Sequence, residues 1–483
     1  MEPVPDNRYG ALHPGLRLKS DVDRAVLITR PSPITNRSHI CRRLPPNEAI
    51  VLSLFDGRRT VGEVISLWAT LTDKEGILAA GEVQSLIEFY TTGERQAEDT
   101  FRLSDDPIID AVDYQPSEFI MDAKSVNLRA RRLRIPYYVY YLTTLYCPQD
   151  CIYCYAKVRQ DHESNLLPIE RVQEIIAELA GLGVEAVQFS GGDALARPGI
   201  FRIIRSVYEA GMVADIPTKI GLGPGKARVL RDMGVETVQF SLDCADPKTL
   251  DFMVGVKDYH LRAFRALHHL REAGLRVRIN AVMTPHNAAM AQDLIRFAGE
   301  MGNVFRLQFS AYGRSQFRHS DTLFARERDI ALVESMATEL QSDFPHMKIT
   351  VGGGAVAPSS DPEQRELEWT RRAFCTADRD SFVLLPDGRV TVCEELYDHP
   401  AFVIGDLRRQ SVMEMWNSPL AKGLLHPAQA EVPDGPCATC NYFAECNANR
   451  GRCWRDVLKS YGWDKPFYPD PRCPRAPQGN RLG

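Results

Sequence analysis

The chain has 483 residues, of which 44% are hydrophobic and 25% are charged, and its formal net charge is −5. This length predicts two or three domains, and the composition is ordinary for a globular protein with a sizeable core. The mild negative charge gives no reason to expect a nucleic-acid or membrane partner, and no apolar stretch approaches the length of a membrane span. Twelve cysteines in a chain whose first residues lack a secretory signal indicate metal ligands rather than disulfides.

Residues 1–95 predict a small module of short strands followed by three short helices. Residues 1–20 are polar and Pro-rich, which predicts a loose tail. Asp56–Arg59 predicts a turn, and Thr60 is a candidate N-cap because Glu63 stands at the capping-box position. The expected strands are Asp23–Thr29 and Ser38–Leu44, and the expected helices begin at Pro46, at Val61 and near Glu82.

The segment Leu44–Val64 carries a more specific signal within this module. It resembles the PqqD-like leader-peptide recognition domain of ribosomal peptide maturases. The resemblance implies a winged-helix module whose sheet edge binds the leader of a precursor peptide as an added strand. The alternative is a plain winged helix that packs on the catalytic domain or binds nucleic acid, although the expected recognition helix is not notably basic. Residues 96–135 are polar and mixed, and they read as a linker.

Apolar strands and amphipathic helices alternate between residues 136 and 365. This alternation predicts an α/β fold of parallel strands joined by right-handed crossovers. The expected strands are Tyr137–Thr144, Val184–Ser190, Val213–Lys219, Glu236–Leu242, Leu275–Val282 and Val304–Ser310. The expected helices are Pro168–Ala180, Ile200–Ala210, Gly225–Asp232, Tyr259–Ala273, Ala288–Gly302 and Arg326–Phe344.

A loop with three cysteines follows the first of these strands. Cys147, Cys151 and Cys154 stand at a CxxxCxxC spacing. A structural zinc site is the alternative, but no fourth cysteine or adjacent histidine completes it, and His162 lies eight residues on. The spacing, with Tyr153 before the last cysteine, resembles the signature of the radical S-adenosylmethionine (SAM) superfamily. The resemblance implies a partial (β/α)6 barrel and a catalytic [4Fe–4S] cluster with one iron open to SAM.

Further candidate SAM contacts stand near the carboxyl ends of the expected strands, where barrel enzymes place their chemistry. Ser190-Gly191-Gly192-Asp193 resembles the GGEP motif of the family, which holds the SAM amino group, with Asp193-Ala194 in place of Glu-Pro. Glycine at this point permits a close backbone approach. The remaining candidates are Tyr153, Lys219, Ser241, Asp243, Arg278, Asn280 and Gln308, of which Ser241 and Asp243 resemble the Ser-Leu-Asp stretch of the family. Each of them could instead pack inside the barrel or face solvent.

Residues 366–483 contain a field of cysteines, namely Cys375, Cys393, Cys437, Cys440, Cys446, Cys453 and Cys473. Pro386-Asp387-Gly388 predicts a hairpin turn between the first two of them. The pattern resembles the SPASM domain, which carries auxiliary [4Fe–4S] clusters, and a zinc ribbon is the alternative. Cys41 and Cys244 remain as expected small buried residues.

The SPASM resemblance also implies which cysteines share a cluster. One cluster would be bound by Cys437, Cys440, Cys446 and Cys473, and the other by Cys375, Cys393 and Cys453. Six residues separate Cys446 from Cys453, where the family usually has three. A fourth ligand for the second cluster is also missing, so either another side chain supplies it or one iron is open.

These resemblances together imply a radical SAM/SPASM maturase of a ribosomally made peptide. The expected cofactors are SAM and three [4Fe–4S] clusters, and the expected reaction is hydrogen abstraction by a 5′-deoxyadenosyl radical with closure of a C–C or C–S cross-link. The expected partners are the precursor peptide, bound through its leader, and an external one-electron reductant in a reducing cytoplasm. The alternatives are a sulfatase-type maturase that oxidises a protein residue, and a regulator that binds iron–sulfur clusters or zinc without turnover.

Overall fold

The computed structural model describes residues 4–31, 40–92, 100–156, 161, 163–312, 320–352, 361–371, 375, 377–397, 399–425, 427–432, 435–449 and 451–477. His162 and Ser38, which the sequence analysis considered, lie outside these ranges. The chain divides into two compact units, Met1–Tyr137 and Tyr138–Gly483. Every helix within the described ranges is too short or too polar to cross a lipid bilayer.

The first unit combines two small antiparallel sheets with helices. Strand β1 lies between β5 and β6 in one sheet, and β3 lies between β2 and β4 in the other. The elements in chain order are β1 (Tyr9–Leu12), β2 (Leu16–Ser20), β3 (Ala25–Thr29), β4 (Ile40–Leu44), α1 (Pro46–Leu54), β5 (Asp56–Thr60), α2 (Val61–Thr72), α3 (Gly76–Thr92) and β6 (Phe101–Ser104).

Two of the three predicted helix starts in this unit are confirmed, and the third helix, expected near Glu82, begins earlier, at Gly76. Helix α1 begins at Pro46, whose fixed φ suits the first helical turn. At the start of α2 the Thr60 amide donates to Glu63 Oε2 at 2.8 Å, and the Glu63 amide donates to Thr60 Oγ1 at 3.3 Å. This reciprocal pair satisfies two amides that the helix itself leaves without a partner. The α2 face formed by Val61, Val64 and Trp68 is buried.

Three predictions for the first unit are wrong. The expected tail contains β1 and β2, and the expected turn at Asp56–Arg59 belongs to β5. The expected linker contributes β6, and its buried Tyr114 accepts a hydrogen bond from the Leu18 amide at 3.1 Å. These strands are only four or five residues long, which is too short for a secure period of two in the sequence, and pairing with other strands stabilises them.

The second unit begins with a parallel sheet and its helices. The elements in chain order are β7 (Tyr138–Leu142), α4 (Ile169–Gly181), β8 (Ala186–Ser190), α5 (Ile200–Glu209), β9 (Val213–Asp215), β10 (Pro217–Thr218), α6 (Pro224–Asp232), β11 (Thr237–Ser241), α7 (Pro247–Val254), α8 (Tyr259–Glu272), β12 (Arg276–Met283), α9 (Ala291–Glu300), β13 (Val304–Ala311), α10 (Glu327–Leu340), β14 (Lys348–Gly352) and α11 (Pro362–Arg371). Strands β7, β8 and β9 pair in parallel, as do β10 to β14. The predicted alternation of parallel strands with helices is therefore confirmed.

One predicted strand is divided in two. Val213–Lys219 was expected as a single strand, but β9 pairs with β8 and β10 pairs with β11. Pro217 opens β10, and it has no amide hydrogen with which to continue the ladder toward β8. The break lets the chain pass from one sheet to the other. Lys219 follows β10 directly.

Side chains alternate across the parallel sheet, with apolar groups against the helices and polar groups on the other face. On β12 the buried residues Val277, Ile279 and Ala281 alternate with Arg278 and Asn280, which are only partly buried. A single row crosses four neighbouring strands, formed by Ser241, Asn280, Gln308 and Thr350. The inner face of the sheet is therefore polar, while its outer face joins the main apolar core.

The C-terminal part extends the sheet formed by β7, β8 and β9. Its elements are β15 (Ser381–Leu384), β16 (Arg389–Thr391), β17 (Val403–Asp406), α12 (Val412–Trp416), α13 (Pro419–Leu425), α14 (Phe443–Asn449) and α15 (Trp454–Tyr461). Strands β15 and β16 form the predicted hairpin, with Gly388 at a φ of 93° in its turn. Because β15 also pairs in parallel with β7, the strands beside Cys375 and Cys393 extend the sheet that ends in the CxxxCxxC loop.

Candidate active site

The CxxxCxxC loop leaves β7 and turns inward. Cys147 and Cys151 are each 8% exposed, and the Cys154 amide donates to the Cys151 carbonyl at 3.1 Å. The pKa of the Cys147 thiol is raised to about 12, chiefly by burial and to a smaller extent by the charges of Asp193, Cys151 and Cys154. Burial likewise raises the pKa of Cys151 to about 11. Thiols in this setting ionise together only beside a strong positive charge, which suits an iron–sulfur cluster.

Gly191 and Gly192 lie directly against this loop. The Gly192 amide donates to the Thr144 carbonyl at 2.7 Å, and the Asp193 amide donates to the Tyr146 carbonyl at 3.0 Å. A Cβ atom would come within 2.2 Å of the Thr144 oxygen at Gly191, and within 2.2 Å of the Tyr146 oxygen at Gly192. The glycine pair therefore allows the backbone to lie directly against the cysteine loop, while the predicted approach of this backbone to SAM stays a prediction.

Asp193, the acidic residue predicted to contact SAM, is buried and accepts several hydrogen bonds from the protein, and its contact with SAM stays a prediction. The Asp193 carboxylate accepts hydrogen bonds from the Leu195 amide at 3.0 Å and the Lys219 amide at 2.7 Å. The Thr218 hydroxyl lies 2.9 Å and 3.1 Å from its two oxygens. Both oxygens of this buried group are thus engaged by protein donors. Through its hydrogen bonds with Thr218 and Lys219, Asp193 stabilises the end of β10 and the start of the loop that follows it.

Tyr153, Lys219 and Asp243, which were predicted separately, form one cluster. Lys219 Nζ lies 2.6 Å from both Tyr153 Oη and Asp243 Oδ2, and Tyr153 also donates to Asp243. The other oxygen of Asp243 accepts the Val282 amide at 2.9 Å. Burial lowers the pKa of Lys219, but Asp243 and the Cys151 thiolate outweigh it and leave that pKa raised. A positive charge therefore stands beside the cysteine loop.

The polar row inside the sheet includes three other predicted residues. Ser241 accepts a hydrogen bond from Gln239 at 2.9 Å, and Gln308 donates to Ser310 at 3.3 Å. The buried Asn280 Oδ1 has no hydrogen-bond partner among the described residues. Strands β12 and β13 each run three residues further, so Asn280 and Gln308 lie inside the sheet rather than at its end.

Arg278 is the predicted residue that the structure separates from this row. It shares a sheet face with Asn280, as expected, but it stands one layer deeper. Its guanidinium lies 3.0 Å from both carboxylate oxygens of Asp215. An arginine that is paired in this way with a buried carboxylate neutralises the sheet interior, which explains its position without a cofactor.

Three residues at the site were missed by sequence reasoning. Ser190 Oγ donates to Glu394 Oε2 at 2.9 Å, and Tyr155 Oη lies 3.3 Å from both Ser190 Oγ and Glu394 Oε2. Glu163 accepts the Thr144 hydroxyl at 2.7 Å. Glu394 directly follows Cys393 and Tyr155 directly follows Cys154, so adjacency to a cysteine was the signal that could have identified these two residues.

The C-terminal cysteines fall into two groups by their mutual electrostatic effect. The pKa of Cys453 is raised to about 12, first by burial and then by the negative charges of Asp456 and Cys375. Burial also raises the pKa of Cys393, and the charge of Cys375 adds to this effect. Burial raises the pKa of Cys437 and Cys473 as well, and each is raised further by Cys440. Burial lowers the pKa of Arg452, and the negative charges of Cys437, Cys446 and Cys473 partly offset this lowering. The division of these cysteines into two ligand sets stays a prediction.

The surroundings of the first group are charged and paired. Glu395 lies 2.9 Å from Arg455 and 2.7 Å from Lys459, while Asp456 lies 2.9 Å from Arg472. A small cavity of about 20 Å³ beside Cys375 is lined by Arg379, Arg452, Trp454 and Phe467 among others. No three described His, Cys, Asp or Glu side chains are close enough together to bind a single metal ion.

The two unassigned cysteines differ from each other. Cys244 is buried, as predicted, and its Sγ lies 3.6 Å from Met290 Sδ. Cys41 is exposed, so its prediction as a buried residue is wrong. It lies on β4, where alternation turns its side chain outward.

Comparison with known proteins identifies the family. Residues 141–298 match the Radical SAM superfamily, and residues 375–441 match SPASM, the iron-sulfur cluster-binding domain. The PqqA peptide cyclase of Methylobacterium nodulans is 31% identical over 307 residues, which cover 61% of this chain and 76% of that enzyme. The chain belongs to the radical SAM family that includes the PqqA peptide cyclases. The PqqA peptide cyclase of Ruegeria pomeroyi is 23% identical over 341 residues, which cover 70% of this chain and 86% of that enzyme.

Solved structures of similar fold agree with this family. Streptococcus suis SuiB bound to its precursor peptide SuiA has a TM-score of 0.64 at 15% identity, over 97% of this chain and 98% of SuiB. SuiB bound to S-adenosylmethionine has a TM-score of 0.61 at 14% identity, over 96% of this chain and 99% of SuiB. The fold therefore matches that of SuiB over nearly the whole chain.

This radical SAM enzyme uses SAM and [4Fe–4S] clusters, as the cysteine spacing predicted. The predicted enzyme class is confirmed by both family matches. The residues at the site fit SAM and its cluster. The three cysteines lie in one loop, where the thiolate charges of Cys151 and Cys154 raise the pKa of Cys147, and the glycine pair lies directly against this loop.

Proposed function

We propose that this radical SAM enzyme closes a C–C or C–S cross-link within a ribosomally made precursor peptide. The observation that carries the proposal is the parallel pairing of β15 with β7, which joins the SPASM strands to the strand that leads into the SAM loop. Glu394 of the SPASM segment accordingly reaches Ser190 of the glycine motif. Kinship with the PqqA peptide cyclases supports a peptide substrate.

We assign the clusters to three groups of cysteines. Cys147, Cys151 and Cys154 would hold the cluster that binds SAM, since they share one loop and raise one another's pKa. Two auxiliary clusters would be held by the groups described above, namely Cys375, Cys393 and Cys453, and Cys437, Cys440, Cys446 and Cys473. The first auxiliary group has three cysteines, so its fourth ligand is another side chain or is absent.

The residues of the chain position and shield the reaction. When bound, SAM and the clusters supply a 5′-deoxyadenosyl radical that takes a hydrogen atom from the peptide, and an acceptor for the electron released when the cross-link closes. Lys219 and Asp243 hold Tyr153 in place within the cysteine loop. The polar row that includes Ser241, Asn280 and Gln308 offers hydrogen-bonding groups beneath the open end of the sheet. Exclusion of water from this space would protect a carbon radical.

The first unit would recognise the leader of the precursor peptide. We assign the PqqD-like winged-helix module to residues 1–95, within the compact unit that extends to Tyr137. Among the described strands β4 lies at one edge of its sheet, where a peptide could add as a further strand. Beside this edge Arg42 lies 2.8 Å from Glu48 and 4.1 Å from the ring centre of Phe89. A bound leader would raise the local concentration of the segment to be modified.

The remaining assignments follow from the same proposal. Residues 136–365 form the radical SAM domain and residues 366–483 form the SPASM domain. An external one-electron reductant supplies the electron that starts each turnover. A reducing cytoplasm is the compartment that such clusters require.

The test is anaerobic reconstitution followed by iron counting and a 5′-deoxyadenosine assay with SAM and dithionite. We expect about twelve irons per chain and SAM cleavage that Cys147→Ala abolishes. The peptide arm is co-expression with a short reading frame found beside the gene, where a product lighter by two hydrogen atoms is expected. Zinc without SAM cleavage would refute the enzyme, and equal modification of a leaderless peptide would refute leader recognition.

A further inference from the structure

The CxxxCxxC loop lies directly against the end of α7. The Asp150 amide donates to the Val254 carbonyl at 3.1 Å, and the Ile152 amide donates to the Met253 carbonyl at 3.0 Å. Gly255 lies so close to the loop that a Cβ atom there would come within 2.5 Å of the Asp150 carbonyl oxygen. The end of α7 is therefore a single layer of backbone that covers this side of the cysteine loop.

Large apolar side chains are exposed on this layer and on the two helices beside it. Phe252 of α7 is 55% exposed, Leu261 of α8 is 46% exposed and Val229 of α6 is 40% exposed. Helix α8 packs against both α6 and α7, and the His260 amide donates to the Asp251 carboxylate at 2.9 Å. The contact between Asp251 and His260 brings the residues that follow them, Phe252 and Leu261, to neighbouring positions. Exposed apolar groups that lie together in this way are typical of an interaction surface.

Basic side chains accompany these apolar groups. Lys226 and Arg228 are exposed on α6, Lys257 is exposed between α7 and α8, and Arg262 and Arg265 are exposed on the first turns of α8. Arg262 and Arg265 are three residues apart, so they lie on the same face of the helix. Within the described ranges none of the five forms an ion pair.

Acidic side chains on these three helices are mostly paired. Asp251 lies 3.1 Å from the ring of His260, and Asp232 lies 2.9 Å from Arg231. Asp258 is exposed and offsets one of the five basic charges. The surface therefore keeps an excess of positive charge, although the net charge of the whole chain is −5.

The position and the charge of this surface together indicate its partner. The SAM cluster needs an electron from outside, and electron tunnelling becomes much slower as distance increases, so a carrier must bind where the cysteine loop lies close to the surface. An apolar centre with a charged rim is the usual anatomy of a protein interface. A positive rim favours a partner of negative charge, because complementary potentials accelerate and orient the encounter.

We propose that α6, the end of α7 and the first turns of α8 bind an acidic one-electron carrier protein that reduces the SAM cluster. One electron leaves the carrier, which is oxidised, and enters the cluster, which is reduced, and no bond forms or breaks in this transfer. The proposal rests on the SAM cluster and the external reductant of the proposed function, and it is independent of the peptide substrate.

The test uses the reconstituted full chain and flavodoxin, an acidic protein whose flavin carries single electrons. The dissociation constant for oxidised flavodoxin is measured by titration calorimetry at low ionic strength, and the rate of 5′-deoxyadenosine formation is measured with SAM and reduced flavodoxin. The double variant Arg262→Glu with Arg265→Glu replaces attraction by repulsion. We expect about tenfold weaker binding and about tenfold slower turnover at limiting flavodoxin. Both losses should become smaller at higher salt, because screening weakens the charge effect.

Two controls distinguish lost binding from a damaged site. Photoreduced deazariboflavin is a small uncharged reductant, so it should support 5′-deoxyadenosine formation equally in the double variant and the wild type. Arg205→Glu reverses an exposed arginine on α5, a helix that packs against α4 and β9, and should leave flavodoxin binding unchanged.

Unchanged flavodoxin binding in the double variant, an equal loss of rate with deazariboflavin, or an equal loss in Arg205→Glu would overturn the proposal. A wild type that deazariboflavin reduces but flavodoxin does not would overturn it as well. If neither reductant yields 5′-deoxyadenosine with the wild type, the proposed function fails, and the calorimetric comparison still decides whether this surface binds the carrier.

Discussion

Single residues in this enzyme act mainly through what they allow their neighbours to do. Gly192 contributes no side chain, and its value is that the Tyr146 carbonyl can lie where a Cβ atom would stand. Lys219 is buried beside the cysteine loop because Asp243 and Tyr153 receive its hydrogen bonds. Both residues were visible in the sequence, but the contacts that explain them join segments far apart along the chain.

Gly192→Ala should displace the cysteine loop. The added Cβ would lie 2.2 Å from the Tyr146 oxygen, and a backbone atom cannot yield as the tip of a side chain can. We expect the loss of about four irons and of SAM cleavage, with the auxiliary clusters retained. Gly181→Ala is the control, because a Cβ there meets nothing within 4 Å, and its iron count should equal that of the wild type. A full complement of iron in Gly192→Ala would contradict this prediction.

Lys219→Met should destabilise the second unit. It leaves the fully buried Asp243 carboxylate without its cation, and breaking a buried pair in this way typically costs about 3–5 kcal/mol. The measurement is urea unfolding followed by circular dichroism. In the double variant Lys219→Met with Asp243→Asn, part of the loss should return because the buried charge is removed. An unchanged midpoint for Lys219→Met would show that the pair contributes nothing.

At the scale of elements, local signals located the strands and helices better than they located their ends. The capping box at Thr60 and Glu63 fixed the start of α2, since it depends only on residues three apart. Pro217 divided an expected strand, and the sequence did not show that the two halves belong to different sheets. Strands β1 and β6 were missed because they form through long-range pairing. Strand β1 pairs with both β5 and β6.

Thr60→Ala should loosen the first turn of α2. Loss of an N-cap side chain typically costs about 1 kcal/mol, which corresponds to about fivefold faster exchange of the local amides. The measurement is hydrogen–deuterium exchange of Val61, Gly62 and Glu63. Thr70→Ala is the control, because that hydroxyl only donates to the Ser66 carbonyl within the helix. Equal exchange of these amides in the wild type and Thr60→Ala would rule out a stabilising cap.

At the scale of the whole molecule, one sheet of the second unit joins the strand before the SAM loop to the cysteine-rich part. Strand β7 lies between β8 and β15, so the first strand of the parallel sheet is also the attachment point of the C-terminal hairpin. This arrangement brings Ser190 and Glu394 together across 204 positions of sequence.

Cys453→Ala tests the division of the C-terminal cysteines. We expect the loss of one auxiliary cluster, or about four irons, because Cys453 is grouped with Cys375 and Cys393. SAM cleavage should persist, since the CxxxCxxC loop is unchanged, while cross-link formation should be lost. Cys446→Ala should remove the other auxiliary cluster. Mössbauer spectra that show two intact auxiliary clusters in Cys453→Ala would refute the assignment.

The order of the main elements could be predicted from sequence patterns, and the cofactors could be predicted from the family resemblance that the cysteine and glycine motifs carry. The cysteine spacings, the glycine pair and the alternation of apolar strands with amphipathic helices are local patterns, and each follows from ligand geometry or from the period of a single element. The grouping of the C-terminal cysteines was implied by family resemblance, and it stays a prediction that iron counting of the cysteine variants tests.

The positions of the carboxylates around the cysteine loop could not be predicted from the sequence, because they depend on contacts between distant segments. Asp193 and Glu394 are equally acidic in the sequence, but one is enclosed by Thr218 and Lys219 while the other reaches Ser190 from the SPASM segment. The difference arises because strand pairing between β7 and β15 brings distant residues together, and no local period records such a pairing.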